Sequence, residues 1–210
     1  MATQLLPLFP LSLVLLPGMP LPLHIFEERY KEMMADVIPK ETEFGIVLAK
    51  DEGIVSIGCT AVVQKVLQRY PDGRLDLLAI GLRRFEIESL DEDKSYLRAS
   101  VGFFDDEEEQ GPSRELLLKA KTAYGKLLVL EKPDIAIEPN FDSPRLSFQL
   151  AQFILDADKR QTLLTLRSEV QRLEYVTKIV PDYVFQREQM ALAQRLAPLN
   201  GHAKHAIVRS

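Results

Sequence analysis

The sequence has only one cysteine and three histidines among its 210 residues. The single cysteine, Cys59, excludes an intramolecular disulfide bond and fits a reducing compartment better than a secreted protein. The histidines lie in two widely separated places, His24 near the start and His202 and His205 near the end. Metal sites need several such ligands close together, so we expect no metal and no cofactor.

Charge is absent from the first 26 residues, and no lysine or arginine occurs before Arg29. A secretory signal needs a basic start and an apolar helix of about ten residues, and a membrane span needs about twenty apolar residues. Neither is present, because the longest apolar run without proline covers residues 11–16 and contains Ser12. We therefore expect a soluble, cytoplasmic protein that does not enter a membrane.

Catalytic motifs are also missing. The only Gly-Lys dipeptide is Gly125-Lys126, and a P-loop would need glycine at position 120 and serine or threonine at 127, where Ala120 and Leu127 stand. No HExxH zinc motif occurs. Cys59 lies in a strand pattern without a neighbour that would lower its pKa, so it is predicted to be a small core residue. We expect no enzymatic activity.

Five prolines shape the opening stretch: Pro7, Pro10, Pro17, Pro20 and Pro22. Each removes a backbone donor and clashes with the preceding turn, so residues 1–26 cannot form a helix. We predict strands at 5–9 and 13–16, then a turn at Pro17-Gly18. Apolar residues in 27–37 recur at helical spacing, which predicts an amphipathic helix.

Residues 43–49 predict a buried strand and residues 54–69 one or two strands, with a strong turn signal at 70–73. Apolar and polar side chains then alternate in 75–79, 85–88 and 97–103. Several short strands with this period and only one helix among them predict a β-barrel or sandwich. From Ser113 the period becomes helical, and we predict helices at 113–131, 144–155 and 159–166. A long last helix follows from residue 169, and Pro181 is predicted to kink it.

Residues 105–112 carry five acidic side chains and no apolar one, which predicts a solvated linker. We therefore divide the chain into a β domain (1–104), an acidic linker (105–112), a helical subdomain (113–201) and a mobile tail (202–210). The first part has 11 basic and 15 acidic residues (−4), and residues 113–210 have 15 basic and 11 acidic ones (+4). We expect the two halves to dock through a moderate interface while the linker stays exposed.

Most of the chain resembles a known family. The carrying stretches are LPLFPLSLVLLPGMPLPLHIFEERYKEMM, GCTAVVQKVLQRYPDGRLDLLAIGLRRFEI and the helical half that follows. They are similar to the N-terminal LON domain of ATP-dependent Lon protease, in its stand-alone form. The resemblance implies an α+β fold, with an N-terminal PUA-like β-barrel carrying one or two short helices, then a C-terminal helical bundle with a long last helix. It implies no ATPase or peptidase, which belong to other domains of the protease.

The resemblance implies a non-catalytic module that recognises unfolded or tagged polypeptides, as an adaptor or a holder of unfolded chains. It leaves open an ATP-dependent protease as a partner and self-association into a homo-oligomer. Two alternatives stay open: RNA binding, which PUA-like barrels perform in other proteins, and a small molecule held in a cleft between barrel and helices. The −4 charge of the barrel half disfavours nucleic acid.

Two groups of side chains are candidate binding sites. The first is an apolar rim against which an extended peptide would lie, or where it would pair with a strand edge. It comprises Met19, Pro20, Leu21, Phe26 and Tyr30. The competing interpretation is that all five residues belong to the core.

The second candidate is a set of arginines that would anchor a carboxylate or phosphate. It comprises Arg69, Arg74, Arg83 and Arg84. The competing interpretation, which is favoured, is a solvated strand end whose arginines pair with Glu86 or Glu88.

Overall fold

The structure is a computed structural model that describes residues 5–107, 111–131 and 138–196. Residues 108–110 of the expected linker and the whole expected tail lie outside these ranges. The strands are β1 (Leu6–Leu11), β2 (Pro20–Ile25), β3 (Phe44–Lys50), β4 (Gly53–Ile54), β5 (Ile57–Arg69), β6 (Leu75–Asp91) and β7 (Arg98–Phe103). The helices are α1 (Glu28–Val37), α2 (Arg114–Glu131), α3 (Leu146–Leu150), α4 (Ala157–Thr165) and α5 (Glu169–Leu196).

Five strands close into a barrel in the order β1-β7-β6-β5-β3, because β1 also pairs with β3. This closing pair is parallel and the other pairs are antiparallel. At the closure, a Cβ on Gly45 would lie 2.7 Å from the Phe85 ring and 2.8 Å from the Leu8 side chain. Glycine is therefore required where the parallel strands meet, and the predicted barrel is confirmed.

The predicted strand at 13–16 is wrong. Val14, Leu15 and Leu16 are buried but form no strand, and their chain crosses the barrel beside Gly81. A Cβ on Gly81 would lie 2.4 Å from the Leu16 carbonyl oxygen. The apolar run is therefore explained by burial in an irregular segment. The turn at Pro17-Gly18 is confirmed, with φ of 78° at Gly18 and the Met19 N–H donating to Leu16 O at 3.1 Å.

The helical half packs directly on the barrel. One hydrophobic cluster includes Ile46 and Leu77 of the barrel together with Leu163 of α4 and Val176 of α5. The halves therefore share a continuous core, which differs from the moderate interface expected between separate units. The second predicted helix is shorter than expected, since α3 ends at Leu150 and a single 3₁₀ turn follows it. No helix in the described ranges is long and apolar enough to cross a membrane.

Candidate functional site

The structure divides the predicted apolar rim between core and surface. Three of the five residues are buried in the hydrophobic cluster: Met19, Leu21 and Tyr30. Pro20 is exposed, and Phe26 is 59% exposed to solvent. Within β2 the two-residue period points Leu21 inward and Pro20 outward, and Tyr30 is buried on the inner side of α1. A ligand can reach only Pro20 and Phe26 of the five predicted residues.

The outward side chains of β2 meet apolar side chains of β6. Pro20 is paired with Ile80, and Pro22 with Leu78. Leu78 and Ile80 are half-buried, in a strand whose alternate residues Leu75, Leu77 and Ala79 point into the core. We call this surface the outer sheet face; it consists of Pro20, Pro22, His24, Phe26, Leu78 and Ile80. Sequence reasoning missed Leu78 and Ile80 because only the strand register brings them beside β2.

A polar cluster borders the outer sheet face. His24 Nδ1 lies 2.5 Å from Asp76 Oδ1, and the Tyr70 hydroxyl donates to Asp76 Oδ2 at 2.7 Å. These two hydrogen bonds, from His24 and then Tyr70, hold the pKa of Asp76 below its ordinary value. The His24 ring stacks on Phe26 with centroids 5.9 Å apart. Asp76 thus fixes the ring that supports the exposed Phe26.

Proline protects the open edge of β2. The Gly81 N–H donates to Met19 O at 3.0 Å, so odd-numbered residues of this segment direct their backbone groups to β6. Pro20 and Pro22 therefore face the other edge, where they have no N–H to offer. An added strand would lack these donors. A polypeptide on this surface would lie across the side chains of the sheet, and the predicted strand-edge pairing is not supported at β2.

The four predicted arginines do not converge on one anion site. Arg74 lies at the hairpin tip, where its Nε donates to Asp72 Oδ2 at 2.7 Å, and Arg69 is exposed nearby on the paired strand. Arg83 and Arg84 lie about ten residues further along, which is roughly 30 Å of extended strand. The predicted anchor built from all four is therefore wrong.

Arg83 and Arg84 also differ from each other. Arg83 is exposed, and its Nε donates to Glu43 Oε2 at 3.1 Å while its guanidinium lies 3.6 Å from the Phe103 ring centroid. Arg84 is only 5% exposed. The expected pairing with Glu86 or Glu88 is wrong for both residues, because Arg84 Nη2 donates to Asp106 Oδ1 at 2.6 Å instead.

Asp106 joins the barrel to the last helix. Arg172 of α5 donates to both carboxylate oxygens of Asp106, and Arg84 donates to one of them. Burial alone would raise the pKa of Asp106, but the hydrogen bonds and charges of Arg172 and Arg84 outweigh it and lower the pKa. The solvated linker expected at 105–112 is therefore corrected at Asp106, which is an internal ion-pair partner.

Two further groups complete what we call the arginine–aspartate cluster: Arg84, Asp106, Ser147, Glu169 and Arg172. Glu169 accepts from the Ser147 hydroxyl at 2.7 Å and from Arg172 Nη2 at 2.8 Å. Burial raises the pKa of Glu169 despite these bonds. Every charged group is thus satisfied inside the protein, and Arg84 is not available to an external anion.

Other chemistry has little support in the described residues. They contain no group of three or more histidine, cysteine or acidic residues arranged to hold a metal ion. Cys59 is fully buried, and burial raises its pKa to about 12. A cavity of about 570 Å³ is lined by Asp36 of α1, Arg83 of β6 and Phe103 of β7, among others. It is not the cleft between barrel and helices that was expected for a small molecule.

A closed PUA-like barrel joined to a helical bundle with a long last helix is the fold of the Lon N-terminal domain. The Lon N-terminal domain protein from Xanthomonas campestris has a TM-score of 0.66 and 27% identity, covering 81% of this chain and 95% of that one. The N-terminal domain of Mycobacterium avium complex Lon protease has a TM-score of 0.62, covering 85% and 99%; at 16% identity it shows the fold alone.

The family described as ATP-dependent protease La (LON) substrate-binding domain matches residues 5–182, and the chain belongs to it. Its curated relatives include the Lon protease of Endomicrobium trichonymphae, 26% identical over 84% of this chain. Lon protease 1 of Hydrogenovibrio crunogenus is 23% identical over 80% of it. The chain spans about a quarter of the length of these relatives, 24% and 22%.

Proposed function

We propose that this chain is a non-catalytic module that binds unfolded or tagged polypeptides, as an adaptor or holder. The observation that carries the proposal is the outer sheet face, where Pro20, Pro22, Leu78 and Ile80 form an apolar patch and the exposed Phe26 follows beyond the His24–Asp76 pair. Apolar surface of this kind binds the apolar segments that an unfolded chain exposes. Membership of a substrate-binding family supports the same function. An ATP-dependent protease is the partner to which such an adaptor would deliver polypeptides.

The surface favours polypeptide over RNA. Pro20, Pro22, Leu78 and Ile80 carry no charge, and the charges at the border, Asp76 on β6 and Lys65 opposite Leu78 on β5, are of opposite sign. An RNA-binding face displays basic side chains that neutralise phosphates. Binding at this face should therefore depend weakly on salt, because apolar burial rather than charge neutralisation drives it.

Binding of a labelled, reduced and unfolded model protein, followed by fluorescence anisotropy, tests the proposal. Phe26→Ala and Ile80→Asp should each weaken binding by about tenfold, because each removes apolar contact from the face. Leu90→Ala is the matched control, since Leu90 is an exposed apolar residue of the same strand β6 outside this face. Met19→Asp is unsuitable because Met19 is buried and its replacement would disturb folding.

All variants are checked first for unchanged circular dichroism and thermal midpoint. The proposal is overturned if no unfolded chain binds, or if Leu90→Ala weakens binding as much as Phe26→Ala. Tighter and strongly salt-dependent binding of a structured RNA would instead support the nucleic-acid alternative.

A further inference from the structure

A second surface with exposed apolar side chains lies on the helical half, between α2 and α5. A cavity of about 420 Å³ is lined by Leu118 of α2 and by Val180 and Pro181 of α5. A cavity of about 780 Å³ continues along the same helices. Thr122 and Lys126 line both cavities, so they form one groove, which we call the α2–α5 groove. The 18 residues of α2 give it a length of about 27 Å.

The groove has an apolar base that extends onto exposed side chains. The solvent-exposed fraction is 65% for Leu118, 73% for Val129 and 50% for Leu192. Val129 and Leu192 lie on opposite walls of the wider cavity, on α2 and α5. A strip of apolar side chains along two helices is the geometry that receives the apolar side of a third helix.

The rims of the groove are basic around its narrower cavity, and Glu115 and Glu174 line the cavity that adjoins it past Lys119 and Thr177. Lys119, Lys126 and Lys178 line the 420 Å³ cavity, and no carboxylate is among the described residues that line it. Lys119 is paired with Glu115 one turn away on α2. Lys126 and Lys178 have no ion-pair partner in the part of the chain that the structure describes. Glu188 is the one acidic residue along the wider cavity in that part.

These charges select among possible occupants. Two copies of this chain meeting through the groove about a two-fold axis would bring the same lysines together, and like charges oppose such an interface. A partner with acidic side chains beside its apolar ones would place opposite charges opposite Lys126 and Lys178. The charge pattern therefore favours an acidic partner over a second copy.

Gly125 supports close approach of a partner helix. It lies inside α2 and lines the wider cavity, and a Cβ built on it would meet nothing within 4 Å. Glycine in a helix interior costs roughly 0.5–1 kcal/mol relative to alanine. No described residue comes close enough to Gly125 to require glycine at this position in the free protein. A glycine in a groove wall lets the backbone of a bound helix come nearer.

We propose that the α2–α5 groove binds an amphipathic α-helix that buries its apolar side against Leu118, Val129 and Leu192 and directs acidic side chains to Lys126 and Lys178. The groove is separate from the outer sheet face on the barrel. The proposal therefore does not depend on polypeptide binding there.

The test uses two synthetic fluorescent peptides of about 18 residues, long enough to match α2. Both carry one leucine stripe at helical spacing; one has glutamate at the flanking positions and the other has lysine. The full chain should bind the acidic peptide about tenfold more tightly than the basic one. The double variant Lys126→Glu, Lys178→Glu should reverse this preference, and Leu118→Glu should abolish binding of the acidic peptide.

Lys40→Glu, just after α1, is the charge-matched control and should change nothing, since Lys40 is exposed on the barrel half and does not line the groove. Gly125→Ala should leave the protein folded and yet weaken binding of the acidic peptide several-fold. Equal binding of both peptides, or a preference unchanged in the Lys126, Lys178 double variant, overturns the proposal. A concentration-dependent dimer that Leu118→Glu dissociates would identify a second copy as the occupant and also overturn it.

Discussion

Arg172 forms a bidentate ion pair with the Asp106 carboxylate: Nη1 donates to Oδ1 at 2.6 Å and Nη2 donates to Oδ2 at 2.5 Å. Arg172 is 0% exposed. Arg84 of the barrel reaches the same carboxylate, so this one acidic side chain connects α5 to β6. Two-point arginine–carboxylate pairs fix orientation as well as distance. The pair therefore adds an oriented contact to the hydrophobic core that the helical half shares with the barrel.

Asp106→Asn should lower the free energy of unfolding by up to about 3–5 kcal/mol, because it leaves the buried guanidinium of Arg84 without a neutralising carboxylate and leaves Arg172 with Glu169 alone. Asparagine keeps the shape of the side chain, so the loss reports charge rather than packing. Urea unfolding followed by circular dichroism measures it. Asp105→Asn is the control: Asp105 is 82% exposed and should contribute less than about 1 kcal/mol. Equal losses in the two variants would contradict the assigned role of Asp106.

The stability contributed by Asp106 should depend on pH. Its pKa in the folded protein lies below the ordinary value of 3.8, so the folded state favours the ionised carboxylate. The stability contributed by Asp106 is complete above pH 3.8 and is lost as pH falls through the lower pKa of the folded state. The stability difference between the wild type and Asp106→Asn should therefore shrink as urea titrations move from about pH 7 towards about pH 3. A difference that stays constant over this range would refute the assignment.

The pKa of Glu169 is raised above 4.5, so its contribution to stability changes with pH in the opposite direction to that of Asp106. It favours folding below 4.5 and is lost as pH rises through the higher, folded-state value. Glu169→Gln keeps the shape without ionising. The free energy of unfolding of this variant, relative to that of the wild type, should therefore be lowest in acid. It should increase as pH rises through the raised pKa of Glu169. The same urea titrations measure this, and an unchanged difference at every pH would contradict it.

Two glycine replacements should have opposite effects. In Gly81→Ala the new Cβ would lie 2.4 Å from the Leu16 carbonyl oxygen, and relieving that contact should cost about 1–3 kcal/mol. Gly125→Ala adds a methyl group to open space inside α2 and should stabilise the protein by roughly 0.5–1 kcal/mol. Thermal unfolding of both variants against the wild type is the measurement. A stable Gly81→Ala protein would mean that the chain at Leu16 does not cross β6 closely.

Cys59 should be inert in the folded protein. Its side chain is fully buried and its pKa is raised to about 12, so almost no thiolate exists at neutral pH. A thiol-reactive chromogenic disulfide should leave the native protein unlabelled and react with one equivalent after unfolding in denaturant. Rapid labelling of the native protein would show that the β5 core opens readily.

Only part of the candidate site could be predicted from the sequence. All five residues were predicted as one rim, but the period of β2 buries Leu21 and exposes Pro20, and Tyr30 is on the buried side of α1. The same alternation is readable in LPLHI once a strand is assumed. The partners of Pro20 and Pro22 were not readable, since Leu78 and Ile80 come beside them only through the register of β2 against β6.

The pattern of the sequence by itself determined the helical half and the turn at Pro17-Gly18 and limited the β half to a barrel or a sandwich, because proline, glycine and hydrophobic period act within a few residues of one another. Only the tertiary structure decided the role of Asp106. In the sequence it stands in an acidic run that resembles a solvated linker, and its partners Arg84 and Arg172 are 22 and 66 residues away. Coulomb attraction depends on distance in space and on exclusion of water, and neither is contained in local sequence.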